Sequence, residues 1–303
     1  MPMPKRSILP AAMVVCILLM AGAAAPAETS WPASLHWTVG VSSDDTSRVQ
    51  MSAHLKGPIG ENLGLTVGGW WITGGSDNRA FAGDNYIDYD KSPLYLAAGR
   101  KFVPFGPAGV LVSPGLEGAE LGLSWDRVKV RAITGELAFT PATGQTRFTY
   151  AGNRVPLDED VDAARAELAL TGSDAVVPVT VGFNWLDVLG DDGTSWDLSL
   201  GLSQEFTLYG EVAEYADADA TVYGVRWTDM YRRPGSVKHT IVVVYDRDIE
   251  VGFVPAAVGA TQFFEGQDGI AGGIYHQFAP RRAIGVYGDS DDVIVTLFGT
   301  ELF

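Results

Sequence analysis

The segment Trp196-Asp197-Leu198-Ser199-Leu200-Gly201-Leu202-Ser203 decides the fold. Trp196, Leu198, Leu200 and Leu202 fall on one face and Asp197, Ser199, Gly201 and Ser203 on the other. A strand sends successive side chains to opposite faces, whereas a helix needs apolar residues three and four apart. The period here is two. It recurs in Val179, Val181, Phe183 and Trp185, set against Thr180, Gly182 and Asn184. It recurs again in Trp37, Val39 and Val41 against His36, Thr38, Gly40 and Ser42, and in Leu121, Leu123 and Trp125 against Gly122, Ser124 and Asp126. No stretch of similar length carries a helical stripe.

Extended over the chain, this period marks about sixteen strands, with about fourteen to eighteen admissible. They are 35–43, 48–57, 63–72, 85–90, 94–101, 118–126, 128–138, 161–171, 177–186, 195–204, 206–214, 219–229, 236–246, 269–278, 282–288 and 292–303. The connections alternate in kind. Short ones such as Asp126-Arg127, Gln204-Glu205 and Pro280-Arg281 fall at one end. The long ones, 73–84, 102–117, 139–160 and 247–268, all fall at the other. Short turns at one end and long loops at the other are the pattern of a transmembrane barrel.

The first residues give the compartment. Lys5 and Arg6 precede an apolar run from Ala11 to Ala25, closed by the small-x-small sequence Ala25-Pro26-Ala27. The run is shorter than the ~20 residues a spanning helix requires. It reads as a secretion signal, 1–27, leaving a single domain over 28–303. The one cysteine of the chain, Cys16, lies inside the signal, so the rest can form no disulfide or thiolate metal site. The chain carries 37 acidic and 21 basic residues, a formal net charge of −16. That balance excludes nucleic acid as a partner held by a general field. Aspartates crowd the connections at the long-loop end, among them Asp44, Asp77, Asp158, Asp191, Asp217 and Asp248. They are turn formers, and equally an acidic rim that attracts cations and lets divalent ions bridge to anionic headgroups.

Hydrocarbon leaves every backbone polar group in need of a partner, and a sheet meets that need only by closing on itself. The expected fold is therefore all-β: a closed antiparallel transmembrane β-barrel. Trp70, Trp71, Trp185, Trp196 and Trp227 lie near strand ends, where interfacial belts place aromatic rings.

Two segments carry a resemblance. The chain ends on the strand Val293-Ile294-Val295-Thr296-Leu297-Phe298-Gly299-Thr300-Glu301-Leu302-Phe303. The terminal aromatic resembles the C-terminal signature of bacterial outer-membrane barrels, which implies that Phe303 is an assembly signal read by the barrel-insertion machinery. Glu301 departs from that pattern, since the family usually has an apolar residue there. The segment Tyr95-Leu96-Ala97-Ala98-Gly99-Arg100-Lys101-Phe102-Val103-Pro104-Phe105-Gly106 resembles the fifth strand of the general porins and its exit into a third loop. In that family the third loop folds back and narrows the pore. Here 102–117 is rich in Pro, Gly and Val, with Glu117 its only charge.

The resemblance implies a channel for passive diffusion of small hydrophilic solutes or ions, located in the bacterial outer membrane. It implies no reaction, no cofactor, outer-membrane lipid around the barrel, and a homotrimer as one admissible assembly. Two alternatives stand beside it: an exported soluble all-β binding protein with the apolar faces as its core, and an outer-membrane barrel hydrolase. Gly288-Asp289-Ser290 is the nearest approach to a serine-hydrolase motif and sits among turn residues. The four histidines are isolated in sequence and form no metal pair.

Alternation also nominates the residues that face the interior. Arg127, Lys129 and Arg131 oppose Val128, Val130 and Ala132, and Arg165 and Glu167 oppose Ala164, Ala166 and Leu168. Tyr209 and Glu211 face away from Leu208 and Val212, and Arg226 stands between Val225 and Trp227. With Arg100 and Glu117 these form the expected pore lining, a basic ladder facing acidic groups across the lumen.

Overall fold

The computed structural model describes residues 33–302, apart from 43–46, 75–76, 113–114, 138–159, 173–174, 189, 229–238, 254–265, 280–281 and 291–292. The described residues form sixteen strands and no helix. In chain order they are β1 (Ala33–Ser42), β2 (Ser47–Gly60), β3 (Leu63–Gly74), β4 (Asp77–Lys91), β5 (Leu94–Phe102), β6 (Gly115–Trp125), β7 (Val128–Leu137) and β8 (Asp160–Ala169). There follow β9 (Val179–Val188), β10 (Asp191–Gly201), β11 (Phe206–Tyr215), β12 (Ala218–Thr228), β13 (His239–Ile249), β14 (Gln267–Ala279), β15 (Arg282–Gly288) and β16 (Val293–Leu302). Each pairs antiparallel with its sequence neighbours, and β1 pairs with β16 from Ser34–Leu302 to Ser42–Ile294. That last ladder closes the barrel and leaves no sheet edge.

The strand count agrees with the alternation pattern, but the boundaries differ in three places. Residues 73–84 are not a long connection: β3 runs to Gly74 and β4 begins at Asp77. The polar, Gly-containing run 77–84 has no alternation of its own, and the ladder with β3 draws it into the sheet. Gly68 falls at a register shift in that ladder. There the Asn85 carboxamide takes the place of a backbone partner, accepting from Gly68 N at 3.2 Å and donating to Gly68 O at 2.9 Å. Likewise β13 extends past residue 246 to Ile249, so the charged run Asp246-Arg247-Asp248 is strand. Finally, 170–178 connects β8 to β9 at the end where most connections are short turns.

Pairing register propagates the two faces around the wall. Leu198 is level with Gly210 and Val181, Val212 with Trp196, and Val225 with Leu208 and Val244. These residues face outward. Trp196 and Tyr223 are each 58% exposed, and Leu198, Val212 and Val244 are also exposed. A contiguous apolar exterior of this extent is untenable in water and is the surface a hydrocarbon solvent requires. The apolar faces therefore do not meet in a shared core, so the soluble all-β alternative fails. Phe206 and Trp227 pair at 6.4 Å between ring centroids at strand ends, whereas Trp196, expected near a strand end, lies at the middle of β10 and packs on Phe183 at 4.8 Å.

Candidate functional site: the constricted interior

The segment after β5 turns inward. Val103, Phe105, Val110, Leu111 and Val112 are all at most 1% exposed, although a loop outside the barrel would leave them in water. Phe105 N donates to Val112 O at 2.8 Å, pinching the segment into a closed hairpin-like loop. It touches Arg131 on β7, Gly193 on β10 and Glu211 on β11. β7 lies apart from the adjacent β10 and β11 around the wall, so one loop after β5 reaches both places only from inside. The loop packs with Ile133, Val161, Leu186, Tyr215, Val222 and others in one apolar cluster. Phe253, from the connection after β13, joins that cluster edge-on to Tyr215 at 6.5 Å. The sequence left open whether 102–117 folds into the barrel; the structure turns 103–112 inward. The segment is held by apolar packing, in keeping with its Pro, Gly and Val content.

Two polar anchors orient the loop. At its tip, Val110 N and Leu111 N donate to the Glu211 carboxylate at 3.3 and 3.4 Å. Glu211 is 1% exposed and also accepts from Ser195 Oγ at 3.0 Å. Gly106 has φ +79°, and a Cβ there would lie 3.0 Å from Glu211 Oε2, so glycine permits both the bend and the approach. At the base, Arg131 Nη1 donates to Pro104 O at 3.3 Å, with its guanidinium 4.8 Å from the Phe105 ring centroid.

Behind the loop the wall carries a connected set of ion pairs. Arg165 donates to Asp197 through both terminal nitrogens, at 2.5 and 3.1 Å, and to Asn184 Oδ1 at 2.8 Å. Their side chains are only 7% and 1% exposed. A Cβ on Gly182 would sit 2.4 Å from Asp197 and 2.5 Å from Arg165, so the pair requires glycine at that position. Arg165 also reaches Glu167 at 3.0 Å, which takes Lys129 at 3.2 Å. Glu120, on β6, bridges Arg131 and Lys101, each at 2.5 Å.

Of the residues nominated from sequence, Lys129, Arg131, Arg165, Glu167, Tyr209, Glu211 and Arg226 share the inward face. The structure brings Lys129, Arg165 and Glu167 together, and sets Arg226 over the Tyr209 ring at 5.8 Å. Arg127 lies in the exposed turn between β6 and β7, 4.0 Å from Asp126. Arg100 and Glu117 require correction. They pair with each other at 2.5 Å on the same face as Leu96, Ala98, Ala119 and Leu121, which is the outward one. The neighbouring Lys101 is the inward residue. Tyr95-Leu96-Ala97-Ala98-Gly99 mixes sizes without a polar alternation, so sequence did not reveal which of the two basic residues faces in. Glu120, Asn184, Ser195 and Asp197 were also missed, although each occupies the polar phase of an alternating strand. Asp289, of the nominated serine-motif stretch, is bound to Arg247 at 2.6 Å. Phe303 lies outside the described residues. Among the described residues no group of His, Cys, Asp or Glu is placed to hold a metal ion.

A closed antiparallel barrel of sixteen strands, apolar outside, charged inside and with its third loop folded into the lumen, is the porin architecture. Solved structures agree. The chain is similar to a multiply substituted Rhodopseudomonas blastica porin (TM-score 0.55, 10% identity, 91% of this chain and 100% of that one covered) and to a second variant of it (0.55, 12%, same coverage). It is also similar to Pseudomonas putida OprB in a low-pH structure (TM-score 0.54, 9% identity, 99% and 98% covered). No family model and no curated protein sequence matches. The shared property is the fold, spanning essentially the whole barrel.

Proposed function

We propose that this chain is an outer-membrane channel through which small hydrophilic solutes or ions diffuse without chemical change. The observation that carries this reading is the loop 103–112, docked inside a closed barrel beside a wall of ion-paired side chains. An apolar exterior supports a bilayer as the surroundings of the barrel, and a charged interior supports water within it. A loop lying inside the barrel would narrow the lumen and set a size limit. Export by the 1–27 signal, insertion through a Phe303-dependent step and assembly as a homotrimer belong to the same proposal. The test is conductance of the purified, folded barrel in a planar bilayer, with liposome swelling in sugars of graded size. Discrete steps of conductance and a size cut-off are expected. A folded barrel that inserts yet neither conducts nor swells liposomes overturns the proposal.

A further inference from the structure

Opposite charges in equal number do not leave a lumen neutral when one sign lies deeper in the wall than the other, because the nearer charge dominates the field. The inward charges around the loop 103–112 are arranged in this way. Lys101, Lys129, Arg131 and Arg165 are balanced by Glu120, Glu167, Asp197 and Glu211, but the cations are the exposed partners. The Lys129 side chain is 62% exposed and that of Glu167 24%. Arg131 is 32% and Lys101 20% exposed, whereas the Glu120 side chain they share is 2% exposed. Asp197 is 1% exposed beside Arg165 at 7%, and Glu211 is 1% exposed under the loop tip. The acidic partners of the basic ladder thus lie beside it, within two strands on the same wall. The surface that closes over this wall is the loop, and 103–112 holds no ionisable side chain.

The other inward charges follow the same rule. Arg226 is exposed, held over the Tyr209 ring at 5.8 Å, and among the described residues no carboxylate pairs with it. Arg247 and Asp289 neutralise each other, both buried. On β4, Asp84 accepts from Phe102 N at 3.2 Å, and Asp88 keeps one carboxylate oxygen shut off from solvent. Two inward carboxylates remain exposed, Asp191 and Asp90. Each stands near a strand end, six residues from Asp197 and, through the partner Tyr95, from Lys101 respectively. Six residues of strand span roughly 20 Å, about two screening lengths at 0.1 M salt.

We infer that the constriction selects small anions, with Lys129, Arg131 and Arg226 as the residues that set the preference. The inference rests on the channel reading above and gives it a substrate class. A permeating ion meets the Lys129 ammonium before the Glu167 carboxylate, which lies 3.2 Å from it on the more buried side. At about 4 Å from the ammonium and roughly 7 Å from the carboxylate, an anion is favoured about twofold even at the dielectric of water. A cation at the same place is disfavoured by the same factor. The uncharged loop offers no carboxylate to restore the balance from the other side. The asymmetry therefore runs across the lumen, from wall to loop, and acts on ions entering from either end.

The experiment is the reversal potential of the folded barrel in a planar bilayer under a KCl gradient of ~0.01 M against ~0.1 M, where screening is weak. Potassium and chloride differ little in mobility, so the permeability ratio reads the charge preference directly. Chloride should be favoured over potassium by about threefold or more. Lys129→Gln, at an exposed position where folding is not at stake, should lower the ratio about twofold. Lys129→Gln with Arg226→Gln should bring it close to one. Glu167→Gln should raise it, by less than Lys129→Gln lowers it, because the carboxylate is the deeper partner. Heat-modifiable migration on gels confirms that each variant is folded. A ratio at or below one in the parent, or a ratio indifferent to Lys129→Gln and to the double variant, overturns the inference and leaves the channel reading standing. Absence of any conductance from the folded barrel overturns both.

Discussion

Replacement of Glu211 separates the two forces that hold the constriction loop. Glu211→Ala removes the acceptor of two loop amides and one hydroxyl, at 3.3, 3.4 and 3.0 Å. A buried donor left without a partner costs about 1–3 kcal/mol, and the long amide distances place each near the lower end. Removal of a carboxylate close to Asp197 offsets part of the loss. A net cost of roughly 2 kcal/mol follows. Against it stand five buried side chains, Val103, Phe105, Val110, Leu111 and Val112. Each contributes about 1.5–3 kcal/mol, as an upper bound because the unfolded chain already buries some of that surface. Apolar packing therefore wins. Glu211→Ala should lower the stability of the folded barrel, measured by urea unfolding in lipid vesicles with tryptophan fluorescence, while single-channel conductance stays near that of the parent. Glu211→Gln keeps an acceptor and should cost under about 1 kcal/mol. Phe105→Ala should cost about 3–5 kcal/mol and increase conductance or its noise. The reasoning fails if Glu211→Ala opens the channel as far as deletion of 103–112 does, or destabilises more than Phe105→Ala.

Three further outcomes are expected. Arg165→Ala strands the buried Asp197 carboxylate and should destabilise by about 3–5 kcal/mol, whereas Arg165→Met with Asp197→Leu should recover most of that loss; a double-mutant cycle in the unfolding assay with no coupling would show that the pair is not buried as described. On β10, Leu198→Arg places a charge in the lipid band and should cost about 2–4 kcal/mol, while Ser199→Arg, one residue on, should cost far less. Equal losses would mean that the faces are misassigned. Arg131→Glu sets a second carboxylate against Glu120 and removes the hold on Pro104, so yield of folded barrel should fall, but Arg127→Glu in the exposed turn should leave yield unchanged. Heat-modifiable migration on gels reports both.

The parts of this protein legible in the sequence are those that depend on local periodicity. A side chain's face follows from counting by two, and so the number of strands, the outward phase of Trp196, Leu198 and Leu200, and the inward phase of Lys129, Arg131, Arg165 and Glu211 follow from the chain alone. Where periodicity is weak it misleads. Along Tyr95–Gly99 it did not distinguish Arg100 from Lys101, and in 77–84 it concealed a strand whose alternation is supplied by its partner. Closure, register and the loop's destination are of another kind. The β1–β16 ladder joins residues at opposite ends of the chain. The bonds from Val110 and Leu111 to Glu211 span 101 and 100 residues, and Arg165 meets Asp197 across two strand pairings. No spacing encodes such contacts. They arise because a closed wall brings its inward faces around a common axis, where a loop too apolar for water finds the upper halves of distant strands, and buried charges find the partners that make their burial affordable.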